Sequence, residues 1–164
     1  MRTYVVTGSA SGIGKATAEL LVERGEKVIG VDLRDADITV DLTTPDGRDR
    51  LVTEVTQLSG GTVDGVLAVA GLAITAPATV GVNNFGMVAT LEGLSPLLAH
   101  SDAPRAVGVS SMASLQPSDE RLIELELAGD EQAALARAAE MVAAPATANL
   151  IYSSTKVGFS RWIR

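Results

Sequence analysis

Two side chains in the last part of the sequence have the types and spacing needed for proton chemistry. Tyr152 and Lys156 are four residues apart, so they share one face if the segment is helical. An ammonium group beside a phenol stabilises the phenolate, which is the form that accepts a proton. The same spacing is common on helix surfaces, so on its own it fits an exposed surface pair at least as well.

A second group of residues has the pattern of a phosphate-binding turn. Residues Thr7–Gly14 read Thr-Gly-Ser-Ala-Ser-Gly-Ile-Gly directly after the apolar run Tyr4–Val6, which is typical of a strand-to-helix turn that holds a dinucleotide pyrophosphate. Without side chains at Gly8, Gly12 and Gly14, the backbone can turn tightly and approach a phosphate. The unpaired N–H groups that open the helix favour an anion. An ordinary turn rich in glycine and serine is the alternative.

An acidic residue follows at the position expected for a ribose contact. We predict a helix over Ile13–Arg24 and a strand over Lys27–Val31, which ends at Asp32. Asp32 lies 18 residues after Gly14, close to the spacing of about 20 at which a carboxylate accepts the ribose hydroxyls of a dinucleotide. A carboxylate there repels a 2′-phosphate and favours NAD over NADP, and Arg34 weakens that preference. A solvated strand end is the alternative.

The elements that would position these residues alternate between strand and helix. This order predicts an α/β fold with a doubly wound parallel sheet in one domain, residues 1–164. Thr44-Pro45 is a signal for the start of a helix, and Gly60-Gly61 is a signal for its end. The predicted strands lie near Tyr4, Val28, Ile38, Val66 and Val107, and the predicted helices begin at Ile13, at Pro45, near Val82 and around Tyr152.

The composition changes between Pro117 and Pro145. Ser118 and Asp130 are candidate caps of two short helices that Gly129 separates. We interpret residues 118–145 as an inserted helical pair, and its acidic side chains as a solvated face.

Composition narrows the classes of partner. The net charge of −7 argues against nucleic acid and anionic lipid. With no cysteine and one histidine, we expect no metal site, no disulfide and no thiol chemistry. Residues 65–91 carry no charge, but Gly71, Pro77 and Gly81 interrupt them, so we predict no membrane span. The amino-terminal residues do not have the pattern of a secretion signal, so we expect a cytoplasmic protein.

The glycine pattern Gly-x-x-x-Gly-x-Gly resembles that of the short-chain dehydrogenase/reductase family, whose fold is Rossmann-like. Other segments agree with this resemblance. Asp41-Leu42 follows the third predicted strand, where the family flanks the adenine. Val69-Ala70-Gly71 keeps the Ala-Gly of the family's Asn-Ala-Gly and lacks its asparagine, and residues 82–86 resemble the family's Val-Asn-x-x-Gly.

The resemblance implies a role for each matching residue. Tyr152 would exchange a proton with the substrate oxygen, and Lys156 would also reach the nicotinamide ribose. Ser111 would hydrogen-bond the substrate oxygen, and Asn83 would hold a proton-relay water. A turn-forming serine and a helix cap are the alternatives for Ser111 and Asn83. The residues that would bind NAD are Gly8, Ser11, Gly12, Ile13, Gly14, Asp32, Asp41, Leu42, Ala70 and Gly71.

The insertion makes the resemblance more specific. Ser111 and Tyr152 are 41 residues apart, farther than in most of the family, and a similar insertion occurs in the bacterial 3α-hydroxysteroid dehydrogenase/carbonyl reductase branch. The resemblance therefore implies reversible oxidation of an apolar secondary alcohol, such as a 3α-hydroxysteroid, to its ketone.

The family continues beyond the position of Arg164. We therefore expect a sheet without its last strands, an uncovered apolar edge at Val107–Val109, and a homo-oligomer in the complete form. Two hypotheses stay open: the front portion of a working dehydrogenase, and a noncatalytic NAD-binding or interaction module.

Overall fold

The computed structural model describes all 164 residues, Met1–Arg164. They form two compact units, one of residues 1–70 and 89–109 and the other of residues 71–88 and 110–164. The elements are β1 (Thr3–Thr7), α1 (Gly12–Glu23), β2 (Lys27–Asp32), β3 (Ile38–Thr39), α2 (Pro45–Ser59), β4 (Gly65–Ala68), α3 (Pro77–Val80), a π-helical turn (Gly81–Gly86), α4 (Met87–Leu98), β5 (Arg105–Gly108), a 3-10 turn (Met112–Leu115), α5 (Glu120–Leu127), α6 (Glu131–Ala143), a second 3-10 turn (Ala148–Leu150) and α7 (Ile151–Trp162).

The first unit contains a five-stranded parallel sheet in the order β3-β2-β1-β4-β5. Its core is built from β-branched and leucine side chains, among them Val5, Val6, Ile29, Val31 and Val66, which are at most 2% exposed. Such continuous apolar strands suit a parallel sheet that is covered by helices. The strand order reverses at β1, which is where open α/β sheets bind ligands. The predicted fold class is confirmed.

Local signals position α2 as the sequence predicts. The Thr44 hydroxyl accepts the Gly47 N–H at 3.0 Å and caps the helix, with Pro45 in its first turn. Gly60 ends the helix in a left-handed conformation, with φ of +67°.

Two apolar surfaces of the first unit are exposed. On α1, Ile13 is 66% exposed and Leu20 is 46% exposed, and Gly14 is the only buried residue. These apolar side chains of α1 are therefore largely uncovered. Strand β5 is the edge of the sheet, and Val107 in it is 49% exposed. The edge is uncovered as expected, because β5 has a neighbouring strand, β4, on one side only.

The second unit is helical. Its apolar core joins side chains of α3, the π-helical turn, α5, α6 and α7, namely Val80, Phe85, Leu122, Leu125, Ala134, Ala138, Met141 and Ile151. The predicted helical pair is present as α5 and α6, separated by Gly129 with φ of +71°.

Two sequence predictions in this unit change in detail, and one holds. Asp119, not Ser118, caps α5, because its carboxylate accepts the Leu122 N–H at 2.8 Å. Asp130 caps α6 as predicted, accepting the Ala133 N–H at 3.1 Å. The helix predicted near Val82 begins earlier, at Pro77. Proline is favoured in a first helical turn, because an N–H at that position has no acceptor within the helix and its absence costs no hydrogen bond.

None of the helices is long and apolar enough to cross a membrane.

Candidate cofactor and catalytic sites

The glycine-rich segment forms a tight turn between β1 and α1. Gly8 and Gly12 have positive φ angles of +73° and +52°, which other residues adopt at a cost. Gly14 has no such angle, but a Cβ there would lie 2.1 Å from the Gly8 carbonyl oxygen. The spacing of the three glycines thus meets three separate backbone requirements of one compact turn.

The amino-terminal end of α1 is open to a ligand. Ser11 is the capping residue, yet its side chain makes no capping hydrogen bond, so the hydroxyl is free to bind another group. No atom lies within 4 Å of a Cβ built on Gly12, and the Ile13 side chain points largely to solvent. The first N–H groups of a helix have no acceptor within the helix. This end of α1 therefore fits a bound phosphate.

Asp32 ends β2 and is tied to the same turn. Its Oδ2 accepts the Ala10 N–H at 3.0 Å, and its Oδ1 accepts the Leu33 N–H at 2.7 Å. Each carboxylate oxygen can accept more than one hydrogen bond, so both stay able to accept ribose hydroxyls. The contact with Ala10 is a structural role that the sequence spacing did not reveal.

The other predicted cofactor residues have local partners. The Asp41 carboxylate accepts the N–H and hydroxyl of Thr43 at 2.9 and 2.7 Å, and Leu42 is 7% exposed. The Ala70 N–H donates to the Thr7 hydroxyl at 3.0 Å. A Cβ on Gly8 would lie 3.0 Å from the Ala70 Cα, so these two predicted residues adjoin. Gly71 is exposed and belongs to the second unit.

The second unit contains all four predicted catalytic residues. Tyr152 and Lys156 lie on α7, and the Lys156 Nζ is 5.7 Å from the centre of the Tyr152 ring. Tyr152 is half-buried, whereas Lys156 is only 4% exposed. Burial lowers the pKa of Lys156 because it penalises the charged form of the amine. The pair is thus not the exposed surface pair that the spacing alone also permitted.

Asn83 lies inside the π-helical turn and does not cap a helix. Its amide donates to the Leu72 carbonyl at 2.8 Å and accepts the Leu72 N–H at 2.7 Å. The same amide nitrogen donates to the Thr155 hydroxyl on α7 at 3.3 Å. The residue is fully buried, so its side chain serves to fasten the segment after β4 and to contact the helix that bears Tyr152.

Ser111 caps the 3-10 turn that follows β5. Its Oγ accepts the Ala113 N–H at 3.1 Å, and its carbonyl accepts the Ser114 hydroxyl at 2.7 Å. This turn and the π-helical turn both pack against α7. The structure therefore gathers the elements of Ser111 and Asn83 around the helix of Tyr152 and Lys156.

One buried acid of the second unit departs from the predicted solvated face. Glu126 on α5 is 4% exposed, and neither of its carboxylate oxygens has a hydrogen-bond partner. The sequence signal for this burial was the position of Glu126, four residues after Leu122 and three after Ile123, which places it on the apolar face of α5.

Comparison with known proteins agrees with this architecture. The sequence profile of the short chain dehydrogenase family matches residues 2–122. The chain belongs to that family.

Its relatives include hydroxysteroid dehydrogenases. The chain is 34% identical to the 3-alpha-hydroxysteroid dehydrogenase/carbonyl reductase of Comamonas testosteroni, with 95% of this chain and 62% of that protein aligned. The structure of the 3-alpha-hydroxysteroid dehydrogenase from Pseudomonas sp. B-0831 in complex with NADH is 41% identical, with a TM-score of 0.87, and the match covers 97% of this chain and 63% of that one. A coniferyl-alcohol dehydrogenase of Pseudomonas is 37% identical over a shorter region, 46% of this chain and 30% of that protein. The chain thus spans about three fifths of the length of the first two relatives.

Proposed function

We propose that this chain carries the nucleotide-binding and proton-transfer residues of an NAD-dependent oxidoreductase that interconverts an apolar secondary alcohol and its ketone. One observation carries the proposal: on α7 the Lys156 ammonium lies beside the Tyr152 ring, and the turns that contain Ser111 and Asn83 pack against this helix. Family membership and the open amino-terminal end of α1 support it.

Each residue then has one task in the reaction. The nicotinamide group, when bound, takes the hydride in oxidation and returns it in reduction. The phenolic oxygen of Tyr152 accepts the alcohol proton during oxidation and returns it during reduction. Lys156 stabilises the phenolate by its charge, and the Ser111 hydroxyl orients the substrate oxygen. Asn83 fixes the segment around Leu72, and the relay water predicted for it remains part of the proposal.

Asp32 supports NAD rather than NADP as the cofactor. Its carboxylate ends β2 beside the glycine-rich turn, where it would accept ribose hydroxyls and repel a 2′-phosphate. Two similar proteins act on 3α-hydroxysteroids by name, and one of them was solved with NADH. These similarities support an apolar alcohol or ketone, including a 3α-hydroxysteroid, as the substrate.

Fluorescence titration of the chain with NADH, and with NADPH in parallel, tests cofactor binding. We expect NADH to bind and NADPH to bind more weakly. No binding of either nucleotide to the folded protein would refute the proposal.

Replacing Tyr152 with phenylalanine tests the proton transfer. The variant loses the hydroxyl and keeps the ring beside Lys156, so turnover should fall by a factor on the order of 100 to 10,000 with NADH affinity almost unchanged. Tyr4→Phe is the matched control, because Tyr4 lies in β1 of the first unit and not on α7. Binding without turnover in the unmodified chain would favour the noncatalytic module.

A further inference from the structure

Glu126 is a buried acid whose position the proposed chemistry does not explain. It lies in the last turn of α5, it is 4% exposed, and both carboxylate oxygens are without hydrogen-bond partners. Burying a charged carboxylate without a partner costs free energy, so such a group stays protonated and neutral, and its presence calls for a functional explanation.

The Glu126 carboxyl fills a space that a glycine of α7 leaves open. A Cβ built on Gly158 would lie 2.0 Å from Oε2 and 3.1 Å from the carboxyl carbon. Glycine within a helix is less stable than alanine by about 1 kcal/mol. Here it provides the seat that the carboxyl needs.

This seat is on the side of α7 away from the proposed catalytic pair. Successive helical residues are rotated by about 100°, so Gly158 is rotated by roughly 200° from Lys156, whereas Tyr152 and Lys156 share a face. Two polar contacts tie the same helices: the Asp119 N–H donates to the Ser154 hydroxyl at 2.8 Å, and Arg161 pairs with Glu120. Glu126 therefore acts on α7 from behind the site.

The charged groups on the packed helices do not pair with Glu126. Most pair with one another: Arg161 with Glu120, Arg121 with Glu124, and Arg137 with Asp119 and Glu140. None hydrogen-bonds to Glu126. The ionisable groups of the three packed helices are Glu120, Arg121 and Glu124 on α5, Glu131, Arg137 and Glu140 on α6, and Tyr152, Lys156 and Arg161 on α7.

We propose that Glu126 is a positioning residue of α7: its neutral carboxyl, seated on Gly158, holds the helix that carries Tyr152 and Lys156, and loss of its proton releases that helix. The effect on catalysis rests on the proposed function. The seat and its titration do not depend on it.

The direction of the pH effect follows from burial. Desolvation raises the pKa of Glu126 from 4.5 to about 8. The unfolded chain therefore releases this proton near pH 4.5, and the folded chain retains it until about pH 8. The fold loses stability as the pH rises across that interval, and the loss levels off above it.

Trp162 gives a direct readout of the proposed release. It is the only tryptophan of the chain and lies on α7. Its ring stacks on that of Phe159, with 5.9 Å between the ring centres. We expect its fluorescence and near-ultraviolet circular dichroism to change with a midpoint near pH 8. Glu126→Gln keeps the shape without the titration, so the transition should disappear. Glu124→Gln, an exposed change on the same helix, should retain it.

Thermal unfolding supplies the second readout. Between pH 5 and 8, the melting temperature of the unmodified chain should fall on the order of 10 °C relative to that of Glu126→Gln. In an active enzyme, Glu126→Gln should also sustain turnover above pH 8. Neither structural readout needs a cofactor or substrate, so a chain that fails to bind NADH yet shows the transition would refute the proposed function and support this inference.

Two outcomes would overturn the inference. One is a transition of unchanged midpoint in Glu126→Gln, which would assign it to another group such as Lys156. The other is the same pH dependence of melting in both proteins. If Glu126→Gln does not fold, Gly158→Ala substitutes for it: the new methyl group expels the carboxyl from its seat, so the transition near pH 8 should be lost. Its persistence in Gly158→Ala would count against the seat.

Discussion

Replacing Gly14 with alanine should disable the glycine-rich turn through a steric clash alone. Gly14 has no positive φ, so alanine brings no backbone strain. Its Cβ, however, would lie 2.1 Å from the Gly8 carbonyl oxygen and 2.6 Å from the carbonyl carbon. Both are backbone atoms, so α1 must move away from the turn by roughly 1 Å, and overpacking of this kind costs about 1–3 kcal/mol.

That displacement also moves the N–H groups that open α1. A hydrogen bond to a charged group contributes about 1.5–3 kcal/mol, so losing one weakens dinucleotide binding roughly 10- to 150-fold. The assay is fluorescence titration with NADH, together with the melting temperature of each variant.

Gly25→Ala is the matched control at the other end of the same helix. Gly25 has φ of +80° and no atom within 4 Å of an added Cβ, so alanine costs about 1–2 kcal/mol in strain and leaves the turn intact. It should lower the melting temperature with little effect on NADH affinity. If Gly14→Ala binds NADH as tightly as the unmodified chain does, the turn does not hold the pyrophosphate and the reasoning is wrong.

Two further predictions concern the second unit. Asn83→Asp keeps the acceptor for the Leu72 N–H but places an oxygen against the Leu72 carbonyl, at a cost of roughly 1–3 kcal/mol in stability. Calorimetry should therefore show a lower melting temperature at pH 7. An unchanged melting temperature would contradict the hydrogen bonds described. Arg137→Ala removes two hydrogen bonds, of 3.2 and 2.7 Å, to the Asp119 carboxylate. These hydrogen bonds are the main cause of the lowered pKa of Asp119. The variant's deficit of about 1 kcal/mol in stability should be full above pH 4 and shrink on acidification, as urea unfolding at several pH values would show; a deficit that does not change with pH would contradict this role of Arg137.

Features fixed by nearby residues could be predicted from the sequence. The Thr44 and Asp130 caps are examples, because each carboxylate or hydroxyl reaches an N–H three residues later. The geometry of the glycine-rich turn was predictable for the same reason, since Gly8 and Gly14 meet within a few residues. The parallel order of the strands also followed from their alternation with helices.

Features that depend on distant partners could not be predicted in this way. Asn83 hydrogen-bonds to Leu72, eleven residues earlier, and to Thr155 on another helix, so the sequence could not separate this role from that of a cap. The exposure of Ile13 and Leu20 depends on what covers α1, which their apolar character does not specify. The roles assigned to the candidate site residues remain predictions that the proposed variants test.

The contact between Glu126 and Gly158 has an evolutionary consequence. The two positions share one small volume, so a side chain at 158 can grow only where that at 126 shrinks or turns away. Among related sequences that keep both helices, the two columns of an alignment should covary, with glycine at 158 accompanying a long residue at 126 and alanine accompanying a short one.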